Sequence, residues 1–147
     1  MDVTSRKPPR LAAATARVKP SDTEKITINL GFVDLGQIDL LVREGFYTNR
    51  TDFIRTAIRN QVATHGDVLK QTVARRTLVL GFQHYSRADL EVVETAGERL
   101  DIRVLGLASI ATDVTPELAK ATIGSVIVLG ALDASPEVKA ALADRIH

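Results

Sequence analysis

Lys25, Thr27 and Asn29 stand two residues apart in the segment EKITINL, residues 24–30, and alternate there with Ile26, Ile28 and Leu30. A period of two puts the three polar residues on one side of a strand and the three apolar ones on the other. The polar side offers an ammonium, a hydroxyl and a carboxamide, a set able both to donate and to accept hydrogen bonds. Taken alone, it is equally the solvent side of any half-buried strand. A second set is Thr48, Asn49 and Arg50, just ahead of a helical pattern. The first N–H groups of a helix lack carbonyl partners and carry the positive end of its dipole, so such a start receives phosphate readily. Ordinary capping by Thr48 or Asn49, with Asp52 near N3 or N4, is the plainer job and is compatible with it.

Other reactive types are scattered. The histidines are His65, His84 and His147, and cysteine is absent. A transition-metal site needs several converging N or S ligands, so no metal site and no cofactor are expected. Asp113, Glu117, Asp133 and Glu137 fall at matching repeat positions, where capping helices is the simpler role. Ser109 and Ser135 show no histidine partner in the sequence, and Gly81, Gly106 and Gly130 are too dispersed for a phosphate loop. The chain is therefore expected not to be an enzyme.

The elements that hold the first two sets follow from pattern. Gly31 closes the alternating segment. Leu35, Ile38, Leu41 and Val42 predict a helix over 33–44, and Gly45 ends it. Phe53, Ile54, Ala57, Ile58 and Val62 predict a second helix from Thr48–Asn49 to about residue 63. Arg55 and Arg59 fall on its polar face, near Asp52. His65–Gly66 marks a break, and 65–75 reads as a connector. One isolated strand leaves its backbone groups unpaired. An identical strand from a second chain remedies this and predicts an intertwined homodimer with a two-stranded antiparallel ribbon.

Strand, helix, glycine turn and a second helix starting TNRTDFIR resemble the ribbon-helix-helix family of bacterial DNA-binding proteins over residues 24–63. The resemblance implies that the ribbon enters the major groove of double-stranded DNA and that Lys25, Thr27 and Asn29 meet base edges. Lysine suits guanine O6 and N7, asparagine suits adenine N6 and N7, and threonine brings a hydroxyl and a methyl. It also implies that Thr48, Asn49 and Arg50 hold the DNA backbone.

Residues 1–22 contain Pro8, Pro9 and Pro20 and a run of basic side chains, and read as a flexible tail. Arg6, Lys7 and Arg10 in it are candidate phosphate contacts. The full chain of 147 residues carries a net charge of only +1. Residues 1–76 nonetheless hold 13 Lys and Arg against 8 Asp and Glu, while residues 77–147 hold 6 against 10. The basic part is the candidate for nucleic acid and the acidic part for another partner.

Residues 76–147 repeat themselves. Thr77, Ile102 and Val126 open three segments that each pass through Val-Leu-Gly and end in an amphipathic helix. Gly81, Gly106 and Gly130 recur at 25 and 24 residues and are expected to end strands. Pro116–Glu117 and Pro136–Glu137 are helix starts. The pattern predicts a small β/α repeat stack, or a compact sandwich or ligand-binding domain.

The expected fold class is α+β: a tail over 1–22, a ribbon-helix-helix domain over 23–64, a connector over 65–75 and a β/α repeat domain over 76–147. The expected function is a sequence-specific transcriptional regulator, a repressor, paired with itself and bound to double-stranded DNA. A protein or small-molecule effector would act at the repeat domain. The alternatives are an antitoxin or plasmid-maintenance DNA-binding protein, and a self-assembling structural protein driven by the repeats. No apolar run reaches the roughly 20 residues of a membrane span. The expected location is the cytoplasm, associated with the nucleoid.

Overall fold

The computed structural model describes residues 23–147. These form two units, Thr23–Thr72 and Val73–His147. Helix α1 spans Phe32–Arg43, α2 spans Arg50–Thr64 and α3 spans Gly66–Arg75. The second unit alternates β1 (Val79–Tyr85), α4 (Arg87–Thr95), β2 (Leu100–Ile110), α5 (Pro116–Thr122), β3 (Ile123–Asp133) and α6 (Pro136–Ala141), ending in a 3-10 turn at Ala143–Arg145.

In α1 the predicted stripe faces inward: Ile38 is buried and Leu35, Leu41 and Val42 are half-buried. The helix ends in a Schellman motif. The Phe46 N–H donates to the Leu41 carbonyl and the Gly45 N–H to the Val42 carbonyl. Gly45 sits at φ +87°, a conformation that costs glycine nothing. Residues 24–30 form no strand in the single chain. A strand exists only through a mate, and none is supplied by the described residues. The connector expected over 65–75 is helical, with His65 as the C-cap of α2.

The three strands pair in parallel in the order β1-β2-β3. Leu90 of α4, Leu118 and Ala119 of α5 and Val138 of α6 pack with Ile102, Val104, Ala108 and Val126 to make the core on one face of the sheet. Each of these helices starts on a hydroxyl cap: Ser86 accepts from the Asp89 N–H, Thr115 from the Leu118 N–H and Ser135 from the Val138 N–H. Pro116 and Pro136 occupy the first helical turn, where a missing N–H is harmless.

The glycines do not end the strands, contrary to expectation. Gly81, Gly106 and Gly130 lie within them and in direct register. Each has a positive φ, +118°, +142° and +125°. A Cβ on Gly106 would fall on the Gly81 carbonyl, and one on Gly130 on the Gly106 carbonyl. Gly106 and Gly130 thus let the neighbouring backbone approach, a role set by the adjoining strand, while nothing crowds the Cβ position at Gly81.

Candidate nucleic-acid interface

Lys25, Thr27 and Asn29 are all exposed, on a segment that leads directly to the α1 N-cap at Gly31. The apolar residues between them are exposed too: Ile26 is 71% accessible, Ile28 57% and Leu30 37%. An alternating segment with neither side covered is incomplete as a single chain, because burial of one face is what alternation is for.

The start of α2 is built in detail. Asn49 is the N-cap, and its side-chain oxygen accepts from the Asp52 N–H at 2.8 Å. The Asp52 carboxylate in turn accepts from the Thr48 N–H at 2.9 Å. This reciprocal pair resembles a capping box with Asn and Asp in place of Ser and Glu. The N–H groups of Arg50 and Thr51 belong to the first turn, which has no helical carbonyls to meet. Tyr47 packs edge-on against Phe53, with centroids 5.0 Å apart, and fixes the path into the helix.

Arg50 is held by a residue that pattern alone did not single out. Its Nε and Nη2 donate to the two carboxylate oxygens of Asp39 at 2.7 and 2.8 Å, tying α1 to α2. The hydrogen bond to Arg50 is the main reason that the Asp39 carboxyl lies below its ordinary range, and the same bond raises Arg50. The bidentate pair uses two of the five guanidinium N–H donors and orients the plane of the group at the helix start. Arg55 and Arg59 are exposed, while Asp52 is engaged by the Thr48 N–H. Arg6, Lys7 and Arg10 lie outside the described residues.

The second unit holds a polar row missed in the sequence. Strand pairing sets His84 beside Ser109 and Ser109 beside Asp133. His84 Nδ1 is 3.3 Å from Ser109 Oγ, and Ser109 Oγ donates to Asp133 Oδ2 at 3.4 Å. Ser109 thus does have a histidine neighbour, which sequence spacing did not reveal. With the hydroxyl proton directed to Asp133, the imidazole donates through Nδ1. In a nucleophile relay the imidazole stands between carboxylate and hydroxyl. Here the hydroxyl stands in the middle and is 3% exposed, so the carboxylate cannot orient the ring. The clue available in the sequence was position: each residue lies three beyond a repeat glycine.

Among the described residues no group of three or more His, Cys, Asp or Glu could hold a metal ion, and no helix is long and apolar enough to cross a membrane. A model of the Ribbon-Helix-Helix transcriptional regulator family matches residues 21–139. The match extends well beyond residues 24–63 and takes in all three strands of the second unit. No curated protein and no solved structure matches the chain.

Proposed function

This chain belongs to the ribbon-helix-helix transcriptional regulator family, and from that premise we propose that it is a sequence-specific DNA-binding repressor acting as a homodimer. Two copies of residues 24–30 pair as an antiparallel ribbon. The observation that carries this reading is the exposure of Ile26 and Ile28 between exposed Lys25, Thr27 and Asn29. A second copy covers the apolar side and leaves the polar triplet outward, presented twice about a two-fold axis. The ribbon fills the major groove, and the triplet reads base edges.

The start of α2 supports the reading from another side. Thr48, Asn49 and Arg50 bring backbone N–H groups, a polar cap and an oriented guanidinium to one place, suited to a phosphate. Arg6, Lys7 and Arg10 add charge that draws the arm to the DNA backbone. Occupation of an operator by the dimer blocks transcription there.

The test is selection of binding sites from random duplex DNA by the full-length protein, repeated with Lys25, Thr27 and Asn29 replaced by Ala. Loss of sequence preference with salt-dependent binding retained is the expected result. An unchanged preference would sink the assignment of base readout.

A further inference from the structure

Arg50 stands at the start of α2, yet its charge is already spent within the chain. Its Nε and Nη2 donate to both carboxylate oxygens of Asp39 at 2.7 and 2.8 Å. Two parallel N–H bonds to two oxygens of one anion is also the geometry in which arginine takes a phosphate. Paired in this way, Arg50 brings no net charge to the DNA backbone.

We propose that Asp39 is a built-in competitor for DNA phosphate: it holds the Arg50 guanidinium in the free protein and gives it up when the start of α2 docks, which lowers affinity for every duplex. The inference rests on the assignment of Arg50 to the DNA backbone made above.

Exchange is favoured over sharing by charge. The donors that Asp39 leaves unused lie on the edge that shares Nη2 with the occupied one. A phosphate seated there would put two anions on one guanidinium, each repelling the other. Release of Asp39 is easy. The Arg50 and Asp39 side chains are 55% and 49% exposed, so water solvates the freed carboxylate and the pair itself is weak. Arg43, one turn further along α1, already favours the charged form of Asp39. It follows Asp39 in the order that suits a helical pair and takes over as its partner. The phosphate, in contrast, gains the free N–H groups of the first turn of α2 and releases counterions from the DNA. The balance therefore tips to phosphate once the duplex is near. The cost falls on all sequences alike, because phosphate contacts carry no sequence information.

The test is a double-mutant cycle on the full-length protein. Affinity for a fluorescent duplex of random sequence is read by anisotropy at one low salt concentration. The native chain is compared with Asp39→Asn, Arg50→Gln and the two together. Arg50→Gln should weaken binding. Asp39→Asn should tighten it by up to about fivefold per half-site, the worth of an exposed pair. The gain should shrink in the Arg50→Gln background, because the cycle separates the pair from the plain loss of a negative charge. Asp39→Ala, with the best helix former at that position, serves if the Asn variant loses its circular dichroism. An equal gain in both backgrounds overturns the inference, since charge alone then accounts for it. Weaker binding by Asp39→Asn overturns it too, and makes Asp39 a residue that aims Arg50 at the phosphate. Unchanged affinity in Arg50→Gln overturns both the inference and the backbone role of Arg50, and leaves base readout by Lys25, Thr27 and Asn29 untouched.

Discussion

Gly106 lies against the carbonyl oxygen of Gly81 so closely that there is no room between them for a Cβ. The same relationship repeats one strand further on, between Gly130 and Gly106. At Gly81 the conformation is kept, at φ +118°, but no atom lies within 4 Å of the Cβ position. The three positions therefore differ in what alanine would meet. Gly106→Ala and Gly130→Ala combine strain with overlap on backbone, and should each cost roughly 3 kcal/mol or more. Gly81→Ala meets strain alone, about 1–2 kcal/mol. Urea denaturation followed by circular dichroism checks the order, and equal losses at all three positions would contradict it.

Thr77 occupies the position after α3 where glycine is usual. Its N–H donates to the Ala74 carbonyl and the Leu78 N–H to the Val73 carbonyl, as in a Schellman motif. Its φ is +52°, the one positive value among the described residues other than glycine. A β-branched side chain there is strained. Thr77→Gly should relieve this and raise stability by about 1 kcal/mol, after allowing for the greater freedom of glycine in the unfolded chain. The hydrogen bond from the Thr77 hydroxyl to the Arg76 carbonyl would be lost and reduces the gain. Thermal unfolding of the two proteins side by side measures the difference.

Much of this was legible from residue order. The stripe of Leu35, Ile38, Leu41 and Val42, the stop at Gly45 and the caps around Asn49 are local, and each lies within a few residues of its cause. The Pro116 and Pro136 helix starts were legible for the same reason. What was misread depends on a neighbouring strand or helix. Gly106 looks like a terminator in one dimension, whereas its role is set by a carbonyl 25 residues away. Arg50 and Asp39 are 11 residues apart on two helices, beyond any periodic pattern. His84, Ser109 and Asp133 become neighbours only through strand register.

The Asp39–Arg50 pair predicts a pH response. The folded-state pKa of Asp39 is depressed, chiefly by the hydrogen bond from Arg50. Its contribution to stability is therefore present above the ordinary aspartate range and is lost as pH falls through the lowered value. Both groups are exposed, so salt should weaken the effect. Carbon-detected NMR titration of the Asp39 carboxyl, in the native chain and in Arg50→Gln, is the measurement. The midpoint should move up toward the ordinary range in the variant. An unmoved midpoint would show that Arg50 does not hold the carboxylate.

Asn49 allows capping to be separated from DNA contact. Asn49→Ala removes the acceptor for the Asp52 N–H and should cost about 1 kcal/mol of stability. Asn49→Asp keeps an acceptor in the same place and adds a negative charge that the helix dipole favours, so stability should be preserved or slightly raised. If the start of α2 holds a phosphate, that charge repels it. Asn49→Asp should then weaken binding to every duplex alike, specific or random, because phosphate contacts carry no sequence information. Fluorescence anisotropy with operator and random duplexes at matched salt reads this directly. Weakening of both by the same factor, in a protein of unchanged stability, is the expected pattern. Undiminished affinity would leave Asn49 a helix cap and nothing more.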